Sequence, residues 1–317
     1  MNIPQELSNF ISLNTDLDVI QVDAAQLTRP DVRTVLDRLM RTGHYRLEKV
    51  DFKDVNKSQK YEEQLDATTQ AINKAEMRKL LQEASEFKVS DVHLVVSDEG
   101  TSVQFEVDGA LRQLPTLTRE KGIAMIRATY QGMAIGDSSF MLKSFQNASI
   151  PQEAFEPRYG ITGVRIQRGP CFPYDKDGEF MTLRLQYDSG GRKTKHRACH
   201  YPFPPPVAGD YNLGKMGYDE RQVAMINELL CMPDGVTIVT GPTGSGKSTV
   251  LYNMLMSKLQ TQPFLRLVTV EDPVEVPIPG AVQFAIQNVH SEHDRGKEFH
   301  KVMSVMLRMA PRWMFFG

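Results

Sequence analysis

Apolar residues recur at helical spacing between Thr69 and Ala84 (Ala71, Ala75, Met77, Leu80, Leu81, Ala84), which predicts an amphipathic helix. Directly afterwards the period drops to two. Asp91–Val96 and Thr101–Gly109 read as strands, the second alternating apolar and polar up to an Asp108-Gly109 turn. A further helix is expected around Lys121–Gly132 and two more strands at Gly163–Gln167 and Gly178–Gln186, completing an α+β module of roughly 120 residues. Near the C-terminal end, the β-branched run Gly235–Thr240 follows the turn formers Pro233-Asp234-Gly235 and reads as a buried strand. Thr249–Leu259, free of Gly and Pro, reads as a helix, and Leu265–Val270 as a buried strand of parallel type.

Polar stretches set the divisions between these patterns. Asp51–Glu63 reads as a loop or linker, closing an N-terminal segment (1–65) whose fold the pattern does not define. The α+β module covers 66–187. Glycines, clustered cations and prolines in Ser189–Arg197 and Tyr201–Pro206 make 188–210 a linker, leaving 211–317 as the last domain. The basic cluster is a solvated loop or a contact for phosphate, an acidic partner or an anionic membrane surface. His196, Cys199 and His200 lack a fourth ligand at a recognised metal spacing.

Composition narrows the class. The chain has 317 residues, 41% of them hydrophobic and 24% charged, with net charge −2. That is ordinary for a globular protein and gives no reason to expect a nucleic-acid partner. No apolar run approaches the ~20 residues of a membrane helix, and the first residues carry no export-signal pattern. Three scattered cysteines (Cys171, Cys199, Cys231) read as reduced thiols in a cytoplasmic protein.

Candidate chemistry centres on Gly241-Pro242-Thr243-Gly244-Ser245-Gly246-Lys247-Ser248-Thr249, which fits the phosphate-binding pattern G-x-x-x-x-G-K-[ST]. Placed between a strand and a helix, it converges backbone N–H groups and a helix N-terminus on a phosphate. The glycines allow close backbone approach, Lys247 supplies a cation to the terminal phosphates, and Ser248 supplies a hydroxyl to Mg2+. Thr249 is given no role beyond the helix start. At the end of the Leu265–Val270 strand stand Glu271 and Asp272, where open α/β sheets place ligands. Such carboxylates hold magnesium through water or order an attacking water; as a plain turn, Asp-Pro would serve as a loop start and Glu275 as a solvated residue.

Further stretches resemble one family, the hexameric secretion ATPases of type II secretion, type IV pilus assembly and retraction, conjugation and type IV secretion. They are Ser90–Leu94 with Val107–Arg112, Gly178–Leu185, the acidic box Thr269–Glu275, and Phe299, Met303, Leu307, Arg308 and Pro311 leading into Trp313–Gly317. The resemblance covers about residues 70–317. It implies an α/β chain in which a RecA-like P-loop domain, cut short at its C-terminal end, follows an α+β PAS-like domain. It also implies ATP and Mg2+ as cofactors and Glu271 and Glu275 as active carboxylates; by their chemistry Ser248 and Asp272 are the candidate metal residues. Arg184 and Arg165, less so Arg168, are implied to reach the γ-phosphate from the first module, where a guanidinium suits spread charge. Implied partners are further copies in a homo-hexameric ring and an inner-membrane platform protein, with cytoplasmic localisation. His93 reads as structural.

The chain departs from that family in places. Ala310 and Arg312 stand where aspartates are usual, and Gly317 precedes the position of the Walker B glutamate. The leading expectation is an ATP-hydrolysing motor subunit whose 317 residues alone hydrolyse poorly. The alternatives are a nucleotide-dependent assembly module without efficient hydrolysis and a P-loop small-molecule kinase.

Overall fold

The computed structural model describes residues 7, 11–14, 19–23, 26–42, 45–50, 52–136, 140–141, 144–188, 196–286 and 292–317. The chain divides into two compact units, Met1–Ile72 and Asn73–Gly317.

In the first unit, strands β1 (Ile11–Asn14) and β2 (Val19–Asp23) pair antiparallel. Helix α1 (Pro30–Thr42) then crosses over to β3 (Arg46–Val50), which pairs parallel with β2. Ile11, Ile20 and Val22 pack under Val32, Val35, Leu36 and Leu39 of the helix. Helix α2 spans Phe52–Glu86. Its first part is the stretch expected to be a loop. Residues 52–72 contain neither Gly nor Pro and are rich in Lys, Gln, Glu and Ala, so helix propensity carries it without an apolar stripe.

The second unit opens with an antiparallel sheet built from β4 (Asp91–Ser97), β5 (Gly100–Val107), β6 (Ala110–Gln113), helix α3 (Arg119–Gly132), β7 (Ile135–Gly136), β8 (Gln146–Pro151), β9 (Ile161–Pro170) and β10 (Glu179–Tyr187). The strand order is β6-β5-β4-β10-β9-β8-β7. Asp108 and Gly109 both take positive φ, 50° and 79°, as a two-residue hairpin between β5 and β6 requires. Strand alternation sends Val92, Leu94, Val103, Phe105, Val164, Ile166, Met181 and Leu183 to one face, against Met77 and Leu81 of α2 and Met125 and Ile126 of α3.

The rest of the unit holds α4 (Glu220–Cys231), α5 (Lys247–Thr261), β11 (Leu267–Glu271), β12 (Val282–Ala285), α6 (Glu292–Met306) and β13 (Trp313–Phe316). A reciprocal capping box starts α4: Asp219 Oδ1 accepts from the Gln222 N–H and Gln222 Oε1 accepts from the Asp219 N–H. The second sheet is parallel, ordered β12-β11-β13. Val268, Val270 and Phe284 on one of its faces meet Val302, Val305 and Met306 of α6 and Phe180 of the first sheet. Leu267 on the other face meets Leu255, Met256 and Leu259 of α5, with Trp313 and Phe315 alongside.

One expected strand does not form. Gly235–Thr240 is irregular, with Val236 89% and Ile238 78% exposed. A β run needs a neighbour for its backbone groups. Here β13 pairs only with β11, and Gly235–Thr240 pairs with no strand among the described residues.

Of the expected linker, residues 189–195 and so most of the basic cluster lie outside the described residues. The part that follows is docked. The N–H of Arg197 donates to the carbonyl of Glu86, and the N–H of Gln113 to that of Pro202. Tyr201 donates its hydroxyl to Glu83 at 2.7 Å and packs edge-on to Phe87 and Phe105.

Candidate nucleotide site

The glycine-rich loop has the backbone its sequence calls for. Gly241, Gly244 and Gly246 take φ of 158°, 77° and 87°. At 244 and 246 an L side chain would be strained, so glycine is needed there. Gly246 is the N-cap of α5, which places Lys247, Ser248 and Thr249 in the helix's first turn, where unpaired N–H groups and the helix dipole favour an anion. Lys247 Nζ donates to the carbonyls of Gly241 and Pro242, each at 2.8 Å, so its ammonium lies over its own loop. Pro242, Thr243, Gly244, Ser245, Ser248 and Thr249 are exposed.

Alternation along β11 sorts the acidic box. Leu267, Thr269 and Glu271 share a face, and Leu267 packs on α5, so Glu271 lies on the side of the P-loop helix. Glu271 is 7% exposed, and its Oε1 accepts from Thr269 Oγ1 at 2.6 Å and Gln283 Nε2 at 3.0 Å. Gly317 sits beside it: a Cβ there would lie 3.3 Å from Glu271 Cγ. Asp272, the next residue, engages Arg295 of α6 at 3.0 Å. Glu275 is exposed on the following loop. Oxygen donors such as Ser248 and Glu271 suit a hard cation like Mg2+.

The arginines separate by strand parity. Arg184 and Arg165 are register partners on β10 and β9 and share a face with Phe180, which stacks edge-on with Phe284 of the second sheet at 5.4 Å. That face therefore looks toward the second sheet. Arg165 is exposed; Arg184 is 45% exposed and holds Asp91 at 2.8 Å. Arg168 lies on the opposite face, fully buried. It binds Glu179 and Gln146 and stacks 4.0 Å from the Phe140 ring centroid, so it is structural and turned away from the site.

Some partners escaped the sequence reading. Arg312 donates through Nε and Nη2 to Glu106 of the first sheet, at 3.2 and 2.9 Å. Arg266 is buried beside it, its pKa lowered to about 10 by loss of water, with Glu106 and Asp91 opposing that shift. His93 bridges Thr182 at 3.1 Å and Glu106 at 3.5 Å; burial first, then Arg266 and Arg184, holds it well below the usual imidazole range, so it is neutral. A cleft of roughly 1050 Å³ runs between the β5–β6 hairpin, 204–208 and 277–281, and none of the P-loop residues line it.

Comparison with known proteins gives this geometry its context. Residues 205–317 match the family model "Type II/IV secretion system protein". The chain is 31% identical over 249 residues to a protein transport protein HofB homolog of Escherichia coli, covering 77% of this chain and 46% of that protein. It is 32% identical over 239 residues to type II secretion system protein E of Pseudomonas aeruginosa, covering 75% and 41%. The chain thus spans just under half the length of these relatives. Among solved structures, the VirB11 ATPase of the Brucella suis type IV secretion system aligns over 80% of this chain and 69% of that one, with TM-score 0.50 and 19% identity, a likeness of fold. Loop, acidic strand and these relatives agree: residues 205–317 belong to the type II/IV secretion system protein family.

Proposed function

We propose that this chain is the nucleotide-binding part of an ATP-hydrolysing motor subunit serving a type II/IV secretion or type IV pilus machine, a conjugative one included. A RecA-like P-loop domain would follow a PAS-like α+β module. The observation that carries this reading is the placement of Glu271 on the face of β11 that meets α5, the helix whose N-terminus is the P-loop.

In this reading the N–H groups of 244–249 and the first turn of α5 cradle the phosphates of ATP. Lys247 exchanges the carbonyls of Gly241 and Pro242 for the terminal phosphates. Ser248 and Glu271 would hold Mg2+, directly or through water, and the ion would supply positive charge to offset the negative charge of the phosphates. Glu271 and Glu275 hold or orient the attacking water. Arg184 and Arg165, on the face toward the second sheet, meet the charge that spreads over the γ-phosphate. Ring formation, an inner-membrane platform partner and a cytoplasmic location belong to the same proposal. No helix among the described residues is long and apolar enough to cross a membrane.

A second reading, a nucleotide-dependent assembly module with little hydrolysis, is favoured by the engagement of Arg184 with Asp91 and of Asp272 with Arg295. Size-exclusion mass with and without ATP, alongside phosphate release, separates the two. Release that is accelerated in a nucleotide-promoted assembly supports the motor; a stable ATP complex with no release supports the module. Lys247→Ala should weaken ATP binding by about tenfold to a hundredfold, and unchanged affinity would refute both.

A further inference from the structure

Gln283 stands between Val282 and Phe284 in β12 and is 4% exposed. Its register partner is Thr269, so it shares the face that carries Glu271. The amide of Gln283 makes three hydrogen bonds. Oε1 accepts from the Ile278 N–H at 2.6 Å, while Nε2 donates to Glu271 Oε1 and to the Val276 carbonyl, both at 3.0 Å. Its orientation follows from these neighbours: a backbone N–H needs an acceptor on one side, and a carboxylate and a carbonyl need donors on the other. Thr269 Oγ1 donates to the same carboxylate oxygen. Glu271 Oε1 is thus held by two donors, which leaves Oε2 as the oxygen for ligand or water. Val276 directly follows Glu275, so one buried amide ties the strand carboxylate to the loop bearing the second.

We propose that Gln283 is the positioning residue of the acidic box: it fixes the Glu271 carboxylate directly and anchors the Glu275 loop through Val276 and Ile278. This rests on the reading that Glu271 acts on bound nucleotide. Only a glutamine supplies donor and acceptor at this reach. Asparagine is one methylene short, glutamate sets a second carboxylate against Glu271, and methionine fills the space without bonds. Outer partners that orient such carboxylates are worth about tenfold to a hundredfold in metal affinity or activity.

The test compares Gln283→Met, Glu271→Gln and the double variant. Mn2+ affinity is read by electron paramagnetic resonance in the presence of a non-hydrolysable ATP analogue, and phosphate release is read in parallel. Whichever readout Glu271→Gln lowers, Gln283→Met should lower about tenfold, with metal-free analogue affinity unchanged. The double variant should go no lower than Glu271→Gln alone. If Gln283→Met does not fold, Thr269→Val, which removes the other donor to Oε1, should lower the same readout several-fold. Wild-type behaviour of Gln283→Met or of that substitute, beside an impaired Glu271→Gln, overturns the positioning role and leaves the box standing. If Glu271→Gln changes neither readout, the reading of the box falls and the proposal with it.

Discussion

Both donor nitrogens that Arg312 offers Glu106 reach a single carboxylate oxygen, at 2.9 and 3.2 Å, and so join the second sheet to the first. The guanidinium passes over the Asp108-Gly109 turn, where a Cβ at Gly109 would stand 2.5 Å from Arg312 Nη2. Glu106 is also the strongest acidic influence on the buried Arg266. Glu106→Ala should therefore cost about 3–5 kcal/mol, because it leaves a buried guanidinium short of a counter-charge. Arg312→Ala, whose side chain is 48% exposed, should cost about 1 kcal/mol. Urea midpoints of the two variants check the order.

His93 makes stability depend on pH. Its pKa is depressed in the folded chain by burial and by Arg266 and Arg184, against the pull of Asp91. Below its unfolded pKa of about 6.5 the unfolded state therefore binds the extra proton, and stability is lost as pH falls through that value. Thermal unfolding between pH 7.5 and 5.5 should show the decline, and His93→Gln should flatten it. An equal slope in the variant would assign the effect to other groups.

Arg184 and Arg168 should part company on mutation. Arg168→Ala strips the buried Glu179 of its partner and should cost about 3–5 kcal/mol of stability. Arg184→Ala removes a half-exposed guanidinium from the buried Asp91, which should cost about 1–3 kcal/mol, less than Arg168→Ala, while lowering ATP turnover by about 10²-fold if it meets the γ-phosphate. Denaturation and steady-state phosphate release decide between the roles.

Asp272 offers a further contrast. Arg295→Ala frees its carboxylate from the pair it makes with α6. If Asp272 serves the metal, Mn2+ affinity in the analogue complex should rise; if it is a structural turn residue, affinity should stay and the unfolding midpoint should drop slightly, by about 0.5 kcal/mol.

Four strands of the first sheet, β4, β5, β9 and β10, were legible in the sequence, as was the Asp108-Gly109 turn, while the short or polar β6, β7 and β8 gave no strand signal. The P-loop helix was equally clear, because Lys247–Thr261 contains no breaker. The faces of Arg165 and Arg168 follow from their odd spacing on one strand, but which face meets the second lobe appears only once Phe180 finds Phe284. Gly235–Thr240 has strand chemistry without a strand, since pairing depends on a neighbour the local pattern cannot supply. The polar start of α2 shows the converse: a helix sustained by propensity where no apolar stripe announced it. Gln283 left one faint signal, an amide among buried apolar neighbours, and its hydrogen bonds depend on a loop whose path no periodicity encodes.

Trp313 is the only tryptophan in the chain. Its ring lies 4.9 Å from Lys258 Nζ near the end of α5 and among the side chains that pack that helix on the sheet. Ultraviolet emission from the unlabelled protein is consequently a single-fluorophore gauge of the seam between the P-loop helix and β13, and a titration with ATP would register any shift of that helix as a change in wavelength or intensity.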